Sequence, residues 1–85
     1  MMLSEEAGYA IKAAIRSKTG GERHNVELSD FDRTVTVGWD DGSIATFLNA
    51  FAVEMDAESG RYVVATEHCG YHEFNHVTVV QKETA

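Results

Sequence analysis

The spacing of apolar residues changes at Gly20-Gly21 from near 3.6 to about 2, so the chain must place a helix ahead of these glycines and strands after them. Leu3, Ala7, Ala10, Ile11, Ala14 and Ile15 recur at three- and four-residue steps. That gathers them on one stripe of a helix while Glu6, Lys12, Arg16 and Ser17 face elsewhere. Ser4 is placed to cap the amino end. Glu5 and Glu6 fall in the first turn, where the helix dipole is positive, and Arg16 and Lys18 fall in the last. The pattern predicts a helix over residues 4–18.

Beyond the glycines, Val26 and Leu28 alternate with polar residues, and Val35, Val37 and Trp39 alternate with Thr34, Thr36 and Gly38. Asp30-Phe31-Asp32-Arg33 interrupts this stretch, which reads either as two short strands or as one strand with a bulge. Asp40-Asp41-Gly42-Ser43 is a hairpin turn, since Gly42 takes positive φ without steric cost. From Ile44 to Met55 both alternating sets are apolar, with Ile44, Leu48 and Ala50 on one and Phe47, Phe51 and Val53 on the other. A central or bulged strand fits. Asp56-Ala57-Glu58-Ser59-Gly60 marks a second turn, Tyr62 to His68 another strand and Val77 to Val80 a last one. The expected fold is α+β: the amino-terminal helix packed on a four- to five-stranded antiparallel meander.

With 85 residues and neither linker nor repeat, residues 1–85 are expected to form a single domain, and folding buries roughly 60–65% of the surface of the unfolded chain. Cys69 is the only cysteine, which excludes an intramolecular disulfide and points to an intracellular, cytoplasmic protein. The opening Met-Met-Leu-Ser-Glu-Glu lacks the order of a signal peptide, and no apolar run reaches the ~18 residues of a membrane span. Membrane insertion is not expected.

Charge is unevenly distributed. Residues 1–23 carry four basic and three acidic side chains, the remainder three basic and eleven acidic, for a net charge of −7. Such a field repels phosphate backbones and attracts basic surfaces, so direct nucleic-acid binding is disfavoured and a protein partner with a basic surface is favoured. The same acidity also serves simple solubility.

Three of the four histidines and the cysteine fall within Glu67-His68-Cys69-Gly70-Tyr71-His72-Glu73-Phe74-Asn75-His76. A transition metal needs ligand atoms about 2.0–2.3 Å away. In extended chain His68, His72 and His76 stand roughly 13 Å apart in succession. Only a sharp turn at Cys69-Gly70 would gather them, or bring His72 to the Cys69 thiol as its base. The plainer reading is exposed histidines and a buried thiol, with no cofactor. Glu5-Glu6 suits a helix amino end, and Asp30/Asp32 and Asp40-Asp41 suit turns, without the spacing of a calcium loop. Gly20-Gly21 follows a helix instead of preceding one, which is the wrong order for a phosphate loop. Trp39, Tyr71 and Phe74 could stack on bases, yet Trp39 shares the alternation of Val35 and Val37 and reads as core.

What remains is the acidic surface: Asp30, Asp32, Asp40, Asp41, Asp56 and Glu58 in expected turns, with Glu54, Glu67 and Glu73 along strands. In size, charge profile and scarcity of cysteine, and in its Asp40-Asp41 and Asp56/Glu58 turns, the chain resembles the small acidic inhibitors encoded by phages and mobile elements, anti-CRISPR proteins among them. That resemblance implies a non-enzymatic protein that binds a host nucleoprotein or nuclease, such as a CRISPR effector, and blocks its nucleic-acid or activation surface. The binding residues would be Asp30, Asp32, Asp40, Asp41, Glu54, Asp56 and Glu58. Two alternatives stand beside it: a metal- or thiol-dependent activity at residues 67–76, and a homo-oligomeric accessory domain, such as a homodimer, joined through a sheet edge.

Overall fold

The computed structural model describes residues 3–84. Helix α1 spans Glu5–Lys18, and the strands are β1 (Arg33–Gly38), β2 (Ile44–Asp56), β3 (Arg61–Thr66), β4 (Tyr71–Phe74) and β5 (Val79–Thr84). All five join one antiparallel sheet in the order β4-β3-β2-β1-β5. The helix on an antiparallel sheet is the expected α+β fold. β1 to β4 form the meander, whereas β5 returns to the opposite edge beside β1.

The ends of α1 follow their sequence signals. Ser4 Oγ accepts the Ala7 N–H at 3.1 Å. At the other end Gly21 N–H reaches the Arg16 carbonyl at 2.8 Å, with Gly20 and Gly21 at φ 65° and 91°, where a residue with a Cβ would be strained. Ala7, Ile11 and Ile15 are buried with Val63 and packed by Phe51, Val53, Met55 and Tyr71. One face of β2–β3–β4 thus lies under the helix. The amino end is also fastened directly to the sheet: Ser4 N–H and Oγ donate to Glu73 of β4 at 3.0 and 2.8 Å, and Arg61 of β3 holds Glu6 with two bonds of 2.9 Å. Those donors, the Ser4 backbone first, hold the Glu73 carboxyl below its ordinary pKa.

The opposite face encloses a second core of Val35, Val37, Ala50, Val64 and Val77, with Phe47, Trp39 and Phe74 packed against it. In a flat sheet β1 and β4 would lie three spacings, or ~14 Å, apart. Trp39, just past β1, instead meets Phe74 of β4 edge-on with ring centroids 5.4 Å apart. The sheet therefore curls around this core, and only because it curls can the four residues Asn75–Thr78 carry the chain from one edge to the other. Trp39 Nε1 donates to the Asn75 carbonyl at 2.8 Å.

The curl begins at a bulge in β2. Arg33 pairs with Ala50 and Val35 with Phe47, so β2 has one residue more than β1 here, and Asn49 stands at φ 48°. The extra residue reverses the alternation. Phe47 and Ala50 face the enclosed core together, while Phe51 and Val53 face the helix. The sequence-based grouping of Phe47 with Phe51 and Val53 is therefore corrected.

Val26 to Leu28 form no strand. Glu27 N–H donates to Asp30 Oδ2 at 2.8 Å and Asp30 N–H to the Glu27 carbonyl at 3.0 Å, closing a turn of 3₁₀ helix over Leu28–Asp30. Leu28 is left exposed. Glu73, expected along a strand, lies in β4, to which the sequence pattern assigned no bounds.

Asp30 is 1% exposed and is held by Arg23 at 3.0 and 3.1 Å and by Lys18 at 3.1 Å. The Arg23 guanidinium, with the Glu27 N–H and Lys18, pulls its carboxyl far below the usual carboxylate range against the opposing effect of burial. Its stabilisation is thus complete above the unfolded pKa of ~3.9 and is lost as pH falls through the lower folded value. Asp30→Asn leaves Arg23 and Lys18 without their partner and should cost ~3 kcal/mol at neutral pH. Urea unfolding followed by circular dichroism should show that gap narrowing as pH falls below ~3.9. A pH-independent difference between the two proteins would contradict this account of the ion-pair cluster.

Gly60 stands at φ 62°, and a Cβ there would lie 2.5 Å from the Val77 carbonyl oxygen and 2.6 Å from its nitrogen. Backbone would have to move. At Gly42, φ 88°, the added Cβ meets nothing within 4 Å. Gly42→Ala should therefore lower stability by ~1–2 kcal/mol, and Gly60→Ala by ~4 kcal/mol or more, as read from thermal or urea midpoints.

Candidate functional site

The two acidic turns close opposite ends of β2, and the curl of the sheet brings both to the border of one cleft. In the β1–β2 turn, Trp39 N–H donates to Ser43 O and Gly42 N–H to Trp39 O, each at 3.0 Å. Asp41 Oδ1 accepts from Ser43 Oγ at 2.6 Å and from Ser43 N–H at 2.9 Å. These bonds, the hydroxyl first, hold the Asp41 carboxyl below its ordinary pKa. In the β2–β3 turn, Asp56 accepts from Glu58 N–H at 3.2 Å and from Ser59 Oγ at 2.9 Å. The β4–β5 connection closes against this second turn through His76 N–H to Ser59 O at 2.9 Å and Val77 N–H to Gly60 O at 3.0 Å.

Between the turns lies an open cleft of about 450 Å³, bordered by Asp40, Glu58, Ser59, Gly60, His76 and Thr78. Asp40 and Glu58, in separate turns 18 positions apart in the chain, thus share one rim. Asp41 and Asp56 are anchored by their own turns with both backbone and hydroxyl donors. No cation among the described residues pairs with any of the four. Arg61, the cross-strand partner of Asp56, directs its guanidinium to Glu6 at 2.9 Å. Asp41 and Asp56 are therefore oriented by hydrogen bonds and not by ion pairs, whereas Asp40 and Glu58 on the rim accept no side-chain hydrogen bond among the described residues.

The remaining acidic candidates lie apart from the rim. Asp30 is buried in its ion-pair cluster and offers no surface charge, which corrects its expected exposure. Asp32 sits 3.5 Å from Arg33. Glu54 accepts the Tyr62 hydroxyl at 3.0 Å; burial first, and then this carboxylate, raise the Tyr62 phenol's pKa. Glu73 is turned toward the helix cap, and Glu67 lies 3.0 Å from His68 Nε2.

The segment 67–76 does turn at Gly70, φ 80°, yet the turn does not gather its histidines. Among the described residues no three His, Cys, Asp or Glu side chains converge on a point that could hold a metal ion. Cys69 is exposed, contrary to the expected buried thiol. His72 Nε2 lies 2.8 Å from the Cys69 carbonyl oxygen; because that oxygen only accepts, Nε2 carries the proton in this contact. The ring is stacked on Phe47, centroids 5.2 Å apart. His72 is thus tied to backbone and aromatic surface and not to the thiol.

His76 on the rim had been grouped with the other histidines, and Lys18 and Arg23 had carried no expected pairing role. No periodic signal joins Arg23 to Asp30 seven positions away; only the three-residue spacing of Glu27 and Asp30 hints at the turn that orients the carboxylate. Among the described residues no helix is long and apolar enough to cross a membrane. Comparisons with known proteins return no match to a protein-family model, a curated protein or a solved structure.

Proposed function

We propose that the chain is a non-enzymatic binding protein whose acidic end occupies a basic, nucleic-acid-binding surface of a protein partner such as a CRISPR effector or nuclease. The observation that carries the reading is the convergence of Asp40 and Glu58 on one rim, flanked by Asp41 and Asp56, with no described cation pairing any of them. Spaced carboxylates offer a cationic channel what a phosphate backbone offers it, and the hydrogen bonds that anchor Asp41 and Asp56 in their turns reduce the ordering cost of docking for those two. Asp30 and Asp32 take no part. The resemblance to phage-encoded inhibitors supports the same class of partner.

The test is competition. Purified CRISPR effectors and nucleases are assayed for DNA binding by mobility shift with increasing amounts of this protein. Inhibition by the wild-type chain should weaken with added salt and fall about 10-fold in Asp40→Asn/Glu58→Gln. Glu83→Gln on β5 should leave it unchanged. Inhibition that survives removal of both rim charges, or its absence across the panel, would overturn the proposal.

A second reading, self-association, is favoured by the outer face of β5–β1–β2, which α1 does not cover. Ile44, Leu48 and Val79 are 69%, 69% and 54% exposed. A Cβ on Gly38 would lie within 3.7 Å of both Ile44 and Val79, which places the two side by side. The Thr36 and Thr46 hydroxyls bond each other at 3.1 Å, so covering this face orphans neither. Light scattering during size-exclusion chromatography at about 100 μM should then show a dimer that Leu48→Glu dissociates. A monomeric wild-type protein removes this reading.

A further inference from the structure

A cleft of about 380 Å³ opens between the carboxyl end of α1 and the middle of β2, a size near the lower end of small-molecule sites. Its floor is apolar, formed by Ala14 and Ile15 of the helix and Phe51 and Val53 of the strand. Its rim is cationic, formed by Lys18, Arg33 and Lys82. Three of the chain's seven basic residues thus border one cleft in a protein of net charge −7. We propose that this cleft binds a small amphipathic monocarboxylate, with an alkyl or aryl tail on the floor and its carboxylate at Lys82 and Arg33.

Two carboxylates also line the cleft, and their engagements decide which cations are available. Asp30 is held by Arg23 and Lys18, and Arg23 is also paired with Glu27 at 3.3 Å, so this cluster of two cations and two carboxylates is balanced. Asp32 faces Arg33 at 3.5 Å, with the two side chains 45% and 41% exposed; such a pair contributes little and is easily exchanged. Lys82 makes no ion pair with any described residue. The positive excess is therefore small and concentrated on Lys82 and Arg33, which suits one negative charge better than a phosphate dianion.

The backbone adds polar capacity. β1 begins at Arg33 opposite Ala50, so from Phe51 onward β2 has a neighbouring strand only on the β3 side. The stretch Phe51–Val53 that lines the cleft therefore has no strand partner on its other side. Backbone groups directed there have no ladder partner. An apolar tail also gains from Phe51, whose ring packs on Phe31 with centroids 5.4 Å apart and so presents a fixed surface.

The probe is octanoate, with octanol as its uncharged counterpart, titrated into the full ¹⁵N-labelled chain and followed by amide chemical shifts. Octanoate should give saturable shifts at Ile15, Lys18, Phe51, Ala52, Val53 and Lys82, and octanol should bind about 10-fold more weakly. Lys82→Glu, an exposed edge-strand change, should weaken octanoate about 10-fold while leaving the rest of the spectrum in place, and Arg33→Gln should weaken it as well. The acidic-rim variant Asp40→Asn/Glu58→Gln shares no residue with this cleft and should bind octanoate as the wild type does. Four results would each overturn the proposal: no saturation by about 20 mM octanoate, equal binding of octanol, indifference to Lys82→Glu, or shifts confined to the outer face at Ile44, Leu48 and Val79.

Discussion

At Leu48–Asn49 the second strand carries one residue more than the strand beside it, and Asn49 absorbs the excess at φ 48°. Asparagine tolerates that left-handed conformation better than most residues with a side chain. From Ala50 to Glu54 each side chain points to the face opposite the one that alternation from Ile44 would assign it, until a second register shift between Glu54 and Asp56. The strand consequently serves two cores. Ala45 and Phe47 join Ala50 and Ala52 in the enclosed core, while Phe51, Val53 and Met55 support the helix. Without the bulge, the apolar residues of one half would face water. The bend also lets the sheet curl until β1 and β4 share a core, and that curl allows Asn75–Thr78 to close the end on which the acidic rim sits.

The distribution of charge follows from how the helix is held. Lys18 and Arg23 are drawn inward to Asp30, and Arg61 is drawn to Glu6 beside the helix amino end. The cations that could have offset the acidic turns are thereby spent on docking α1 and the segment after it. Asp40, Asp41, Asp56 and Glu58 are left without them. A local requirement, fixing a 14-residue helix to a small sheet, thus produces a surface with a strongly negative end. Net charge alone does not specify that surface, because two of the seven expected site acids, Asp30 and Asp32, sit beside cations.

Elements with redundant local signals were legible in the sequence. The helix had periodicity, a serine cap, acidic and basic ends and terminal glycines, and its observed limits fall within one residue of those expected. The two Asp- and Gly-containing turns were legible for the same reason, since their Asp side chains bond their own backbone. The β4 strand was not, because Tyr71–Phe74 is only four residues long, its inward positions hold His72 and Phe74, and Glu73 faces a helix cap. Val26 and Leu28 were misread because two alternating residues carry too little information against a side chain such as Asp30 that captures the backbone. The convergence of Asp40 and Glu58 on one cleft was not legible, since it depends on a curl that no local pattern encodes.

An acidic end and a cationic cleft can act independently on so small a protein because of screening. The molecule extends 40 × 26 × 25 Å, whereas the Debye length at physiological salt is ~8 Å. In the proposals above, a ligand in the cleft therefore responds mainly to Lys82, Arg33 and Asp32, the Lys18–Asp30 pair offsetting itself, and a partner at the turns responds mainly to the rim carboxylates. The net charge of −7 acts at long range at low salt, where it speeds encounter with cationic surfaces and slows encounter with anions. Close contact reverses that order of importance, since apolar walls exclude water and raise the weight of the nearest charges. Salt should accordingly affect the two surfaces in opposite ways at a distance, while leaving the short-range selectivity of each in place.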